Sequence, residues 1–229
     1  MKNPRIGVLL SGCGFQDGSE IHEAVLTLLH LDRAGAQAVC LAPDAPQAAV
    51  VDHKTGAAAA CTRNMLGEGA RIARGRIQDL AQVDPSALDG LILPGGFGAA
   101  RNLCDFAGKG KDAAVRPDVA SLLQAMHAAG KPIGAVCIAP AVVAAALKRN
   151  KPRLTIGNDA GTAAALRAMG SEHQDCAVTD AVVDERNRIV STPAYMFDAP
   201  IGQVSQGIEK LVAAVLALAA QPRAQRVAP

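Results

Sequence analysis

Tryptophan is absent from this chain of 229 residues, tyrosine occurs once and phenylalanine only four times. Aromatic side chains therefore cannot fill the interior. Ala, Val, Leu and Ile are plentiful, so a core must come from many small side chains in close packing, with helices and sheet approaching tightly. No run of basic residues occurs, and the net charge of +2 is spread along the chain. That excludes the phosphate-neutralising stripe a nucleic-acid partner requires. The longest continuous apolar run, residues 211–220, falls well short of the ~20 residues that span a bilayer, so no membrane partner is expected. Lys2 and Arg5 flank a short apolar start, but glycine-rich polar sequence follows with no small-residue cleavage pattern, so this segment reads as a first strand. The six cysteines, Cys13, Cys40, Cys61, Cys104, Cys137 and Cys176, show no C-x-x-C and no paired spacing. This argues against a zinc site and against a disulfide framework. A reducing cytoplasm, without a metal, is the expectation.

What the chain does contain is alternation of strand and helix. Residues 5–10 read as a buried strand, 19–33 as a helix and 36–42 as a second strand, which together make a βαβ unit with a parallel, right-handed crossover. Ser19 is the expected N-cap of that helix and Gly35 its stop. A short hairpin, 48–53 with 57–61 around a turn at 54–56, and a helix at 64–73 are expected next. Strands follow at 88–93 and 132–136, with a helix at 117–129 between them. Further elements are a helical run at 140–148, a short strand at 155–157, a helix at 160–169, a hairpin of 178–183 with 188–192, and a closing helix at 201–220. From Gln221 on, the tail is expected to fray. The sum is one α/β domain over residues 1–229, a doubly wound, mostly parallel sheet with an appended antiparallel hairpin. Such sheets bind ligands where strand order reverses, at the carboxyl ends of the strands. The loops after Leu10, Leu93 and Val136 should therefore converge.

Each of those loops carries chemistry. Cys137 lies where an apolar strand stops and an Ala-rich helix starts, the layout of a nucleophile elbow. There the helix's free N–H groups and positive dipole end would favour a thiolate, so Cys137 is expected to ionise more readily than a free thiol. The structural alternative is a buried small hydrophobe. Glu20 and Glu23, three apart on the opening turns of the first helix, can both be aimed at the tip of the sheet as proton carriers, or can simply favour the helix dipole. In Gly95-Gly96-Phe97-Gly98 the N–H of Gly95 or Gly96, with that of Ile138, would form an oxyanion hole over a Cys137 adduct; a plain tight turn is the alternative. Cys13 is a possible second thiol, able to modulate or cross-link to Cys137, or else inert. Gly12, Gly14 and Gly18 miss the dinucleotide spacing by one residue, and neither a P-loop nor a G-x-S-x-G serine is present. His22, His30, His53, His127 and His173 read as solvated or structural.

Taken together, Ser11-Gly12-Cys13-Gly14, Asp17-Gly18-Ser19-Glu20-Ile21-His22-Glu23-Ala24, Pro94-Gly95-Gly96-Phe97-Gly98-Ala99-Ala100, Cys137-Ile138-Ala139-Pro140 and Thr192-Pro193-Ala194-Tyr195 resemble the DJ-1/PfpI superfamily of class I glutamine amidotransferase-like proteins. Within it they look like the glyoxalase-like isoprenoid biosynthesis subgroup, the enhancing lycopene biosynthesis proteins. The resemblance covers nearly the whole chain. It implies a flavodoxin-like fold, usually a homodimer, with Cys137 as the nucleophile. The superfamily's acidic partner, counted back from Gly35, maps onto Glu23 rather than Glu20.

The implied activity is that of a weak, glutathione-independent, cofactor-free lyase of the glyoxalase III kind, acting on glyoxal or methylglyoxal to give a 2-hydroxy acid. Ile138 stands where the superfamily's peptidases carry histidine, which argues against proteolysis. His173-Gln174-Asp175 is a poor likeness of an amidotransferase His-x-Glu and precedes the hairpin, which argues against ammonia release. The alternative is a redox or carbonyl-stress sensor linked to isoprenoid metabolism, whose exposed, readily ionised thiol is oxidised.

Overall fold

A computed structural model describes residues 3–221. Strand β1 (Arg5–Leu9) leads into helix α1 (Ile21–Arg33), and β2 (Gln37–Ala42) follows. Glu20, not Ser19, caps α1: its backbone is extended, and its own carboxylate accepts the Glu23 N–H at 2.7 Å. The Ser19 hydroxyl turns inward and accepts the Ser11 N–H at 2.9 Å. At the other end Gly35 takes a positive φ of 71° as its N–H closes on Asp32, a conformation that favours glycine.

Helix α2 (Met65–Ile72) precedes β3 (Ile77–Asp79), and β4 (Gly90–Leu93) precedes a short helix α3 (Phe106–Lys109). Then come α4 (Pro117–Ala128), β5 (Ile133–Val136), α5 (Pro140–Ala146), β6 (Arg153–Leu154), α6 (Ala160–Ala168) and β7 (Glu172–His173). The chain closes with β8 (Val182–Asp184), β9 (Ile189–Thr192) and α7 (Ile201–Ala220). The main sheet runs β3-β2-β1-β4-β5-β9-β8. Every pairing in it is parallel except β8 with β9. This is a flavodoxin-like α/β sheet with an antiparallel pair at one edge. Strand order reverses between β1 and β4, so the loops following those two strands face each other at the carboxyl edge.

Both faces of the sheet are covered, as a parallel sheet requires. Leu9, Leu41, Leu91 and Ile133 pack on one side with Leu123 and Met126 of α4 and Val142 of α5. Ile6, Val8, Ile92 and Val190 pack on the other with Leu31 of α1 and Ile208 and Leu211 of α7. The core is aliphatic throughout, and burying each such side chain contributes about 1.5–3 kcal/mol. Among the described residues α7 is the one helix long and apolar enough to cross a membrane. Its buried residues Val204, Ile208, Leu211, Val215 and Leu218 recur at three- and four-residue spacing, and that stripe docks on α1 and on the sheet.

Two expectations give way, and one strand is found that the sequence did not suggest. Residues 48–61 do not form a hairpin: one bridge joins Val51 to Ala58, and residues 52–58 are exposed. The segment has no sheet face against which to bury alternate side chains, so the ladder never extends. The strand expected at 155–157 lies instead at β6, which pairs with β7 in a separate sheet, because Thr155 gives its N–H to the Ser191 hydroxyl. The edge strand β3, with a single apolar residue, carries too little pattern to be legible in sequence. The tail beyond Gln221 lies outside the described residues.

Candidate active site

The thiol of Cys137 sits directly past the end of β5, in a left-handed backbone conformation with φ 59°. A non-glycine residue held there costs about 1–3 kcal/mol, which the surrounding contacts must offset. Its N–H donates to Thr192 O at 2.9 Å, tying the turn to the adjacent strand β9. The N–H groups of Gly96 and Ile138 point at the sulfur, and the Glu23 carboxyl is hydrogen-bonded to it. Residues from β4, β5 and α1, remote in sequence, thus meet at one atom.

Glu23 is fully buried. Its Oε2 accepts the Gly95 N–H at 2.9 Å and its Oε1 accepts the Tyr195 N–H at 3.2 Å. Burial, reinforced by the Glu20 carboxylate, raises its pKa to about 8, although the two N–H bonds and the Cys137 contact pull the other way. Cys137 is displaced in the same sense. Burial and then the Glu23 charge hold its thiol well above the ordinary range, against the Gly96 and Ile138 N–H groups. The expected easy ionisation of Cys137 is therefore corrected: the donors are in place, but desolvation and a neighbouring carboxyl outweigh them. A buried pair of acids tolerates one negative charge, which belongs to the pair as a whole.

The glycine loop is glycine for steric reasons. A Cβ on Gly95 would lie 2.5 Å from the Cys137 Cβ and 2.7 Å from Glu23 Oε2. Gly96 has φ 88°, and a Cβ there would meet the Glu20 nitrogen at 2.4 Å. The oxyanion expectation divides accordingly. Gly95 is already committed to Glu23, whereas the N–H groups of Gly96 and Ile138 face the sulfur. Glu20 lines the cavity and caps α1, while Glu23 meets the thiol. Cys13 is not brought to Cys137: it is half-buried near Glu68, Arg71 and Asp17 and does not line the cavity.

Sequence reading left Tyr195 without a role. Ala194 before it takes a positive φ of 44°, which turns the Tyr195 N–H onto Glu23. The Tyr195 hydroxyl pairs with His22 Nδ1 at 2.9 Å. Its being the sole tyrosine, inside Thr192-Pro193-Ala194-Tyr195, was the available signal. The cavity above Cys137 has a volume of about 360 Å³ and is walled by Phe15, Phe97, Phe106, Ile138 and Met196. The first loop is held in place by buried Asn102, whose Nδ2 donates to Ser11 O and Asp17 O, both at 2.8 Å. His30 bonds the Ser205 hydroxyl and His173 accepts the Ile156 N–H; burial lowers the pKa of both. Among the described residues no three His, Cys, Asp or Glu side chains gather as a metal site.

The sequence model of the DJ-1/PfpI family matches residues 13–198. The ES1 protein homolog, mitochondrial, of Rattus norvegicus is 45% identical over 93% of this chain and 84% of its own length. Glutamine amidotransferase-like class 1 domain-containing protein 3, mitochondrial, of Homo sapiens is likewise 45% identical, over 93% of this chain and 83% of its own. The crystal structure of an isoprenoid biosynthesis protein with amidotransferase-like domain from Ehrlichia chaffeensis superposes with a TM-score of 0.89 at 39% identity, covering 94% of this chain and 99% of that one. The names of the rat and human relatives overturn the expectation of a cytoplasmic protein. Unpaired cysteines report a reducing compartment, and that property does not separate cytosol from mitochondrion.

Proposed function

This chain belongs to the DJ-1/PfpI family, and from that premise we propose that it is a glyoxalase-like enzyme converting glyoxal or methylglyoxal into a 2-hydroxy acid without glutathione. One observation carries the reading: a buried thiol and a buried carboxyl, Cys137 and Glu23, share hydrogen-bond contact beside a cavity, with two backbone N–H groups aimed at the same point. The Cys137 sulfur adds to the aldehyde carbon, and the thiol proton passes to the aldehyde oxygen, giving a hemithioacetal. The Gly96 and Ile138 N–H groups are placed to hold the developing oxyanion. Glu23 takes the proton from the former aldehyde carbon while the neighbouring carbonyl oxygen gains one, giving an enediol. Glu23 then returns its proton to the neighbouring carbon as the original hydroxyl loses its own and becomes the thioester carbonyl. One carbon is oxidised and its neighbour reduced, so the resulting thioester forms with no net change of electrons. Water then cleaves the thioester, releasing the 2-hydroxy acid and restoring the thiol.

Because the working form of the pair carries one negative charge, kcat/KM should rise with pH through the first ionisation of the pair, near 8. The test is 2-hydroxy acid formation from methylglyoxal with no added thiol. Cys137→Ala and Glu23→Gln should each lose roughly a hundredfold or more; turnover equal to wild type in either would overturn the reading. A redox-sensing role asks for an exposed, readily ionised thiol, and a buried cysteine whose thiol is raised in pKa supports it poorly. The family resemblance also supports a homodimer, and an apolar stripe on α1 supports it from this chain's own surface: Ile21, Val25 and Leu29, spaced by four, are all exposed.

A further inference from the structure

The cavity over Cys137 is built for something larger and less polar than glyoxal. At about 360 Å³ it falls in the size class that buries a drug-sized ligand. Its walls are the more telling feature. The core of this protein is aliphatic, yet three of the four phenylalanines, Phe15, Phe97 and Phe106, and the only tyrosine, Tyr195, line this one cavity. Phe15 and Phe97 remain 48% and 47% exposed at its mouth. Phe106 and Tyr195 also pack against the core, whereas the rings of Phe15 and Phe97, left half in water and outside it, are accounted for by a ligand that covers them. Ile138 and Met196 continue the same apolar wall.

Charge is as unevenly placed as ring surface. Among the residues lining the cavity Glu20 is the single charged side chain, and no lysine or arginine lines it. The Arg101 guanidinium lies over the Phe97 ring at 5.1 Å and donates to Gln16 O. It supports the ring rather than facing a ligand. Glu20 is held in position by its bond to the Glu23 N–H. An incoming anion would meet that carboxylate with no cation to compensate it.

We propose that the preferred substrate is an uncharged 2-oxoaldehyde whose apolar substituent is larger than methyl, an aryl or branched alkyl group, and that Glu20 is the residue that turns away anionic aldehydes. The substituent lies against Phe15, Phe97 and Phe106 while the aldehyde carbon reaches Cys137. This rests on the glyoxalase-like reading of the same site.

The experiment compares glyoxal, phenylglyoxal and carboxyphenylglyoxal as substrates of the full chain, each rate divided by the reaction rate of that aldehyde with a small free thiol. Phenylglyoxal should exceed glyoxal in kcat/KM by about tenfold or more. Carboxyphenylglyoxal should fall about tenfold below phenylglyoxal, and Glu20→Gln should close most of that gap. The glutamine oxygen can still accept the Glu23 N–H, so the helix cap survives the change. A second readout needs no catalysis: the rates at which iodoacetamide and iodoacetate label Cys137, again relative to a free thiol and read by mass at that residue. Wild type should favour the neutral reagent, and Glu20→Gln should lose a substantial part of that preference, the remainder coming from the negative Cys137–Glu23 pair. If glyoxal is turned over but phenylglyoxal gains nothing, the proposal fails while the enzymatic reading stands. If no aldehyde is turned over, the enzymatic reading fails and the substrate proposal with it, whatever the labelling shows. A charge preference unaltered in Glu20→Gln overturns the role given to Glu20.

Discussion

Glu23 ties the chemistry of the site to the stability of the fold. Its carboxyl ionises near 4.5 when free and near 8 when buried beside Cys137 and Glu20. At low pH both folded and unfolded chains hold the proton. Between those two values the native state keeps a proton that the unfolded chain has lost, so the Glu23 contribution to stability falls as pH rises and levels off above about 8. The loss is on the order of a few kcal/mol. Glu23→Gln removes this dependence, so its melting temperature relative to wild type should climb between acid and mildly alkaline pH. Parallel stability curves for the two proteins would overturn the assignment. At this scale much was legible in advance: the elbow cysteine followed from its place between strand and helix, and the glutamates from the first turns of α1. The upward displacement of the thiol was not, because it depends on desolvation and on a carboxyl brought in from another element.

Among the elements, the loop after β4 is the part that cannot be varied. Gly95→Ala would place a methyl group 2.5 Å from the Cys137 Cβ and 2.7 Å from Glu23 Oε2. Backbone on one side and a buried pair on the other leave it nowhere to go, so the pair must separate. A displacement of this kind typically lowers turnover by about a hundredfold. Turnover of methylglyoxal and the rate of Cys137 labelling should both drop; unchanged rates would show that the contact is not needed. Glycine at this loop was visible in sequence, but its commitment to Glu23 was not. The same contrast runs through the elements: long periodic segments such as α1, α4 and α7 were plain, whereas β3 has only three residues and the segment 48–61 carried an alternation with no sheet to receive it.

For the molecule as a whole, the exposed stripe of Ile21, Val25 and Leu29 on α1 bears on assembly. Side chains of that size repeated on one helix face are costly to leave in water. Light scattering should give twice the chain mass of 23.4 kDa, and Val25→Glu, at an exposed position where folding is little affected, should return the monomer at micromolar concentration. A monomer in wild type would overturn the proposed homodimer. Compartment is a property of the whole molecule that composition could not settle, since free thiols mark a reducing environment without saying which one.

Residues close along the chain decided what is local: where the long strands and helices run, which loops carry thiol, carboxyl and glycine, and, from strand–helix alternation, that the sheet is parallel. Those choices rest on backbone sterics and hydrophobic period, which act over a few residues. The family resemblance already preferred Glu23 over Glu20; only the tertiary structure decided that the Glu23 carboxyl lies against the Cys137 sulfur, that Gly95 serves Glu23 while Gly96 and Ile138 serve the sulfur, and that Tyr195 completes the set. Helix orientation, burial and the distance between charges set those outcomes, and none of them exists until β1, β4, β5 and β9 lie side by side in one sheet.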